Sequence, residues 1–323
     1  MTLLITGGAG YIGSHVVFEA LKSGREVVVL DDLSTGFKSR LPSDLPLEEV
    51  TLTDRESVFR VFEVHKFTGV IHLAGKKQVS ESMIRPEYYW EENVGGLQNL
   101  VDAMVEHGVD NFVFSSSASV YGEPELDPGA LISEGLECEP ISPYGETKLE
   151  GERIAKEYAA NFDFKVAALR YFNVAGAGRP ELGDLLPFNL VPIVFGALER
   201  DEQPKVFGDD YPTPDGSCIR DYVHVQDLAE AHIAAMDFVE NSRETFVPIN
   251  IGAGRGSSVF EVLGEISRVS GIEIGPVRAE RREGDPAVLV ADVSRAEEIL
   301  GWRGQRDLSD IVNSAWHAWS FCR

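Results

Sequence analysis

A glycine-rich turn near the start of the chain constrains the fold more than any other feature. Residues 6–13 read TGGAGYIG, between a short apolar run at Leu3–Thr6 and a helical pattern that begins near Tyr11. Glycines at such a turn allow a tight reversal of the chain, and they let a phosphate group approach the backbone at a helix N-terminus. The turn therefore predicts a strand followed by a helix, with a nucleotide-binding crevice between them.

The rest of the first half continues this alternation of strands and helices. Five further apolar runs predict strands, at 27–31, 47–52, 69–75, 111–117 and 165–172. Strands joined by helical crossovers form a parallel sheet with helices on both faces. We predict an α/β protein with a doubly wound parallel (Rossmann) sheet at 1–173. A smaller α/β substrate-binding domain is predicted at 174–323, with some of its segments returning to the first domain.

The charge balance restricts the partners. Of the 323 residues, 53 are acidic and 29 are basic, so the formal net charge is −24. A polyanion would meet a repelling surface, and we therefore expect neither nucleic acid nor membrane as a partner. An anionic small molecule must instead be held locally, by backbone N–H groups and by individual arginines.

Neither the first residues nor the cysteines suggest export. There is no basic segment followed by a long apolar one, so we expect a cytoplasmic protein. The three cysteines, Cys138, Cys218 and Cys322, are too far apart for a zinc motif and suggest no disulfide framework. His224 and His232 lack a convincing third ligand, so we predict no metal site and interpret both as structural.

An acidic residue at the end of the second strand indicates which dinucleotide binds. Asp31 follows the apolar run 27–30. A carboxylate there can accept hydrogen bonds from an adenosine ribose, and it would repel a 2′-phosphate. The sequence therefore favours NAD over NADP. Lys38 and Arg40 lie too far along the following loop to reverse this preference.

A serine-ended strand and a Tyr-x-x-x-Lys pair indicate the chemistry. The fifth strand ends at Ser115–Ser117, and a proline-rich loop leads to Tyr144 and Lys148, one helical turn apart. A nearby ammonium would lower the pKa of the phenol, so that Tyr144 could accept a proton from a sugar hydroxyl. Ser117 could orient that hydroxyl. The alternative is a solvated pair on a helix surface, but the position after the fifth strand favours a site at the cofactor crevice.

Together these motifs resemble the extended short-chain dehydrogenase/reductase family, over nearly the whole chain. The resemblance is most specific to nucleotide-sugar epimerases, because half of the matching runs lie outside the common dinucleotide motifs. The runs are residues 6–15, 114–122, 142–148, 169–173, 207–225 and 281–285. It implies NAD-dependent, reversible 4-epimerisation of UDP-glucose and UDP-galactose through a 4-keto sugar, with the UDP held firmly and the sugar loosely. It also implies a homodimer, formed through the helices that flank the fifth strand.

The resemblance also implies roles for individual residues. Tyr144 would be the base, Lys148 its electrostatic partner and Ser117 the residue that orients the substrate. The implied cofactor contacts are Gly7, Gly10, Tyr11, Ile12, Gly13, Asp31, Asp32, Leu52, Leu73, Ala74, Gly75, Lys77, Asn93, Ser115, Tyr144, Lys148 and Phe172. The implied substrate contacts are Lys77, Ser117, Tyr144, Asn173, Asn189, Leu190, Val206, Phe207, Arg220, Arg282, Asp285 and Leu289.

Some positions leave alternatives open. Arg220 and Arg282 could instead form ordinary ion pairs, because Asp221, Glu283 and Asp285 lie beside them in the sequence. Thr51 stands where many relatives have an aspartate at the adenine. Leu289 stands where the family uses the size of the residue to admit or exclude a 2-N-acetyl group, and leucine is intermediate.

Three other functions compete with 4-epimerisation of UDP-hexoses. A nucleotide-sugar 4,6-dehydratase would need an Asp-Glu pair after Ser117, where this chain has Ala118-Ser119. An epimerase for UDP-uronic acids would need an additional cation at C6. An NAD-binding sensor without catalysis would normally have lost the tyrosine or the lysine, and both are present here.

Overall fold

The apolar runs of the sequence form the strands of a computed structural model that describes residues 1–127, 129–282 and 285–322. In these residues the strands are β1 (Thr2–Thr6), β2 (Glu26–Leu30), β3 (Leu47–Glu48), β4 (Gly69–His72), β5 (Asn111–Ser117), β6 (Lys165–Tyr171), β7 (Asn173–Ala175), β8 (Lys205–Phe207), β9 (Ile219–His224), β10 (Phe246–Ile251), β11 (Gly256–Ser258), β12 (Val277–Ala279) and β13 (Val288–Leu289).

The α-helices are α1 (Tyr11–Lys22), α2 (Arg55–Val64), α3 (Val79–Ile84), α4 (Pro86–Tyr89), α5 (Gly96–His107), α6 (Pro143–Phe162), α7 (Leu190–Glu199), α8 (Val225–Asn241), α9 (Val259–Ser270), α10 (Ser294–Leu300) and α11 (Leu308–Phe321). A π-helical turn at Trp90–Gly95 leads into α5. None of the helices in the described part of the chain is long and apolar enough to cross a membrane.

The large sheet has seven parallel strands in the order β10-β6-β5-β4-β1-β2-β3. This order confirms the predicted doubly wound Rossmann sheet. The direction of winding reverses between β1 and β4, and ligands of such sheets bind in the crevice at that point. The third strand is shorter than predicted, because only Leu47 and Glu48 pair with β2 before the chain turns back at Val50.

Two apolar layers enclose this sheet. Alternate residues of β1 point to opposite faces, so that Leu3 and Ile5 belong to one core cluster and Leu4 to the other. The first layer contains residues of α1, α8 and α10, and the second contains residues of α2, α5 and α6. Burial on both faces explains why the strands read as continuous apolar runs.

The second half of the chain contributes to both parts of the molecule. Strand β10 pairs along its full length with β6 at the edge of the large sheet, and α8 packs against α1. The remaining segments build a smaller region, in which β9 pairs with β7, β11 and β13, and β8 pairs with β12.

Candidate active site

The glycine turn after β1 is shaped by close contacts that only glycine permits. A Cβ at Gly7 would lie 2.6 Å from the backbone nitrogen of Ala74, and one at Gly13 would lie 2.0 Å from the carbonyl oxygen of Gly7. Helix α1 begins at Tyr11, and no side chain caps its first N–H groups. Such a helix N-terminus offers donors and a positive dipole end to a diphosphate. This cradle fits the NAD that the sequence predicts.

Asp31 stabilises the loop that follows β2 through hydrogen bonds to the backbone. Its side chain is buried, and it accepts hydrogen bonds from the backbone nitrogens of Ala9 and Leu33, both at 2.9 Å. Burial raises the pKa of this carboxyl, although the two backbone bonds partly oppose the effect. Asp31 thus joins the glycine turn to the β2 loop, and its contact with a ribose stays a prediction.

Asn93 fixes the loop after β4. Its Oδ1 accepts from the backbone nitrogen of Lys76 at 2.7 Å, and its Nδ2 donates to the Lys76 carbonyl and to Thr147 Oγ1, both at 3.0 Å. The resemblance implies a direct contact between Asn93 and the cofactor, and that contact stays a prediction. In the structure its amide bonds the β4 loop to α6, so Asn93 holds in place the loop that carries Lys77.

Helix α6 brings the predicted catalytic side chains together. It begins at Pro143, and Ser142 caps it by accepting a hydrogen bond from Gly145 N at 3.2 Å. Tyr144, the second residue of the helix, lies buried, and its phenol faces the hydroxyl of Ser117 at the end of β5. Lys148 Nζ donates to the Ser115 carbonyl at 2.8 Å. The three side chains therefore share one place at the carboxyl edge of the sheet.

The prediction that Lys148 lowers the pKa of the Tyr144 phenol is wrong for the protein without NAD. Burial raises the pKa of the Tyr144 phenol above its ordinary value, and the Ser117 hydroxyl only partly opposes this. Lys148 is itself buried, which lowers its pKa to about 8, and its ammonium group bonds the Ser115 carbonyl. The direction of the shift depends on burial, which the sequence does not display.

The low pKa of Lys148 predicts an unusual pH dependence of stability. Between about pH 8 and its ordinary pKa near 10.5, the folded chain has released a proton that the unfolded chain still holds, so stability rises with pH. From about pH 7 to about pH 9, the free energy of unfolding of the NAD-free protein should rise by about 1–2 kcal/mol relative to Lys148→Met. Urea denaturation at each pH measures this. Lys156→Met, which removes an exposed lysine from α6, is the control, and a constant difference between wild type and Lys148→Met would contradict the prediction.

Tyr171 and His232 complete the surroundings of Ser115, and sequence reasoning assigned neither of them to the site. Ser115 Oγ lies 3.1 Å from His232 Nε2, and the Tyr171 phenol lies close enough for Ser115 to influence its pKa. Burial lowers the pKa of His232 to about 4, so the ring is neutral and supports the strand. This agrees with its structural interpretation. In the sequence, the only indication that Tyr171 belongs near the site is its position in 169–173, one of the runs that resemble the family.

The predicted phosphate-binding arginines have different surroundings. Arg220, on β9, forms an ion pair with Asp285 and donates to the Ile219 carbonyl at 2.8 Å, and its contact with a UDP-sugar stays a prediction. Arg282 is exposed and stacks on Phe207, with 4.0 Å from the guanidinium carbon to the ring centroid. Glu283, the other candidate partner, lies outside the described residues. Arg282 is therefore the more accessible of the two cations.

The remaining predicted contacts fall into accessible and buried groups. Lys77 and Asn173 are exposed, and Lys77 Nζ lies 5.9 Å from the Phe188 ring. Asn189 donates to Asp184 at 2.5 Å, just before α7.

By contrast, the side chains of Leu52, Val206 and Phe172 are buried in apolar clusters. Their predicted contacts with a ligand stay predictions.

The doubly wound sheet, the glycine cradle and the Ser-Tyr-Lys group define a dinucleotide-dependent enzyme site for proton and redox chemistry on a hydroxyl. Residues 3–252 match the NAD dependent epimerase/dehydratase family. The chain belongs to this family, which confirms the predicted cofactor and the predicted class of enzyme.

Several relatives are similar over almost their whole length. UDP-glucose 4-epimerase of Bacillus subtilis is 44% identical, over 98% of this chain and 96% of that protein. The crystal structure of UDP-glucose 4-epimerase from Stenotrophomonas maltophila, with bound NAD and formylated UDP-arabinopyranose, has a TM-score of 0.94 at 36% identity and covers 100% of this chain and 99% of that one. The enzyme from Bifidobacterium longum in complex with NAD⁺ and UDP has a TM-score of 0.91 at 33% identity, with 99% and 98% covered. These relatives bear out the predicted resemblance.

Proposed function

We propose that this protein interconverts UDP-glucose and UDP-galactose by NAD-dependent 4-epimerisation through a 4-keto sugar. The observation that carries the proposal is the grouping of Tyr144, Ser117 and Lys148 beside the glycine cradle. The relatives described above, several of which are named as UDP-glucose 4-epimerases, support it. NAD, when bound, supplies the reversible redox step at C4 of the hexose.

The side chains of this protein account for the proton transfer. Tyr144 takes the proton from the C4 hydroxyl and later returns it, and Ser117, whose hydroxyl lies beside the phenol, orients the C4 hydroxyl. Burial keeps water away from both groups. Lys148 provides a cation one helical turn from Tyr144, where it can also bind the cofactor ribose.

Inversion at C4 requires a sugar that turns while its UDP stays bound. Arg282 is an accessible cation for the diphosphate, and its guanidinium stacks on the Phe207 ring. Arg220 is paired with Asp285, so it would bind the UDP together with that carboxylate. We assign cofactor binding mainly to residues 1–173 and UDP-sugar binding mainly to 174–323. The homodimer and the cytoplasmic location stay predictions from the sequence.

The activity is tested by incubating the purified protein with UDP-galactose, without added cofactor, and following UDP-glucose by NMR. We expect conversion to a stable equilibrium, because NAD is regenerated in each cycle and copurifies with the chain. Absence of conversion, even with added NAD, would reject this substrate pair.

Leu289 provides a test of substrate range. It is half-buried on β13, directly opposite Arg220 on β9. If its size controls access for a 2-N-acetyl group, Leu289→Tyr should lower kcat/KM for UDP-N-acetylgalactosamine by about tenfold more than for UDP-galactose, since one steric clash is worth about 1–3 kcal/mol. Equal losses for both substrates would show that Leu289 does not discriminate between them.

A further inference from the structure

The side chain of Lys76 connects two loops that lie on opposite sides of the glycine cradle. Its backbone belongs to the loop after β4, and its Nζ donates to Ser34 Oγ, in the loop after β2, at 2.9 Å. The same ammonium lies 3.6 Å from Asp32 Oδ2 and 3.4 Å from Glu92 Oε2. We call these four residues the Lys76 clasp.

The strand order shows what the clasp crosses. Strand β1 lies between β2 and β4, with both of which it is hydrogen-bonded. A side chain that reaches from the β4 loop to the β2 loop must therefore span the carboxyl end of β1, where the glycine cradle begins. A dinucleotide on a sheet of this kind runs along the same edge, with its diphosphate at the cradle. The clasp and the cofactor thus share one span of the crevice.

Both ends of the clasp are held in place. Asn93 bonds the backbone nitrogen and carbonyl of Lys76, at 2.7 and 3.0 Å, and so fixes the end on the β4 loop. At the other end, Asp32 Oδ1 accepts from the backbone nitrogen and hydroxyl of Ser34, at 2.9 and 2.6 Å. The backbone of Lys76 and the partner residues on the β2 loop are therefore already ordered when the lysine side chain closes the clasp.

The ammonium of Lys76 is stabilised by the two carboxylates of the clasp. Only 15% of the Lys76 side chain is exposed. Burial on its own would lower the pKa of Lys76, but the carboxylates of Asp32 and Glu92 outweigh it and raise the pKa. A partly buried ammonium with two carboxylates and a hydroxyl interacts more strongly than an exposed surface pair.

We propose that the Lys76 clasp must open before NAD can enter or leave, so that Lys76 slows the exchange of the cofactor. The inference depends on NAD binding at the cradle and deepens the proposed function. A reaction without net redox change regenerates its cofactor, and slow exchange then has no cost in turnover. Lys76 is a positioning residue here and takes no part in proton transfer.

The test measures exchange of the cofactor directly. The purified protein is loaded with deuterium-labelled NAD and mixed with excess unlabelled NAD. The label that remains bound is then followed by mass spectrometry after rapid desalting. We expect Lys76→Met to exchange NAD about tenfold faster than the wild type, which corresponds to about 1.4 kcal/mol of lost interaction. Lys38→Met is the matched control, because Lys38 is an exposed lysine after β2 that only approaches Glu49, at 3.7 Å.

A second variant distinguishes the clasp from a direct contact between Lys76 and a phosphate, and salt tests whether ion pairs of Lys76 slow the exchange. Raising NaCl from about 0.05 M to about 1 M should speed exchange more in the wild type than in Lys76→Met, because screening weakens the ion pairs. Glu92→Gln should also exchange faster, since it removes one partner of the ammonium. If Lys76 instead bound the phosphate directly, Glu92→Gln would exchange at the wild-type rate or more slowly.

Two results would overturn the proposal. One is exchange in Lys76→Met within about twofold of the wild type, a difference below about 0.5 kcal/mol. The other is unchanged or slower exchange in Glu92→Gln. Because exchange is measured without a sugar nucleotide, the result is independent of whether the proposed epimerisation is correct.

Discussion

Replacement of Tyr144 by phenylalanine should lower kcat for UDP-galactose by about 10²–10⁴-fold, the usual contribution of a general acid–base group. The substitution removes only the hydroxyl that faces Ser117, and the ring keeps its buried position in α6. NAD binding at the glycine cradle should therefore be preserved. The measurements are kcat by NMR and the amount of NAD bound per chain.

Tyr158→Phe is the matched control for this substitution. Tyr158 lies on the same helix, but its hydroxyl contacts Gln98 and Asp102 on α5, away from Ser117. Its kcat should stay within about twofold of the wild type, which is the behaviour of a substitution outside the site. If Tyr144→Phe retained more than about a tenth of the wild-type kcat, a different group would have to accept the proton.

Replacement of Arg170 by methionine should lower the free energy of unfolding by about 3–5 kcal/mol. Arg170, on β6, donates to Glu152 through Nε at 2.9 Å and through Nη2 at 2.6 Å, and both side chains are buried. Ser116 and Tyr121 bond to the same pair. Without the guanidinium, Glu152 would be a buried carboxylate without its cation, and urea denaturation would measure the cost.

Arg153 offers a neighbouring control. Arg153 is an exposed arginine on α6, the helix that carries Glu152, and it pairs with Glu150 at 3.2 Å. The substitution Arg153→Met should change the free energy of unfolding by less than about 1 kcal/mol. The double variant Glu152→Gln with Arg170→Met should recover part of the loss, because the stranded charge is gone. A loss below about 1 kcal/mol for Arg170→Met would show that the pair contributes little.

The sequence was sufficient to predict most of the large sheet and the group of catalytic side chains. Strands buried on both faces leave apolar runs, and the glycine turn and the Tyr-x-x-x-Lys pair are local patterns. The position of β3 was also predicted, but its length was not, because pairing at the edge of a sheet depends on where the chain turns away.

The contacts that complete the site could not be predicted in the same way. Glu152 with Arg170, Asn93 with Lys76 and Arg220 with Asp285 join residues that lie far apart in the sequence or belong to different elements. Their partners are decided by tertiary packing. The raised pKa of Tyr144 has the same origin, since burial of a phenol is a property of the folded chain.

The edge position of β10 has a consequence for synthesis of the protein on the ribosome. Strand β6 leaves the ribosome well before β10, the strand that pairs with its outer edge. Until residue 251 has left the exit tunnel, this edge of β6 is therefore unpaired. Unpaired edges are templates for pairing with other chains. Translation that stalls between residues 171 and 246 would therefore prolong the time for which β6 is an exposed edge strand, and β6 is covered only when the second half of the chain supplies β10.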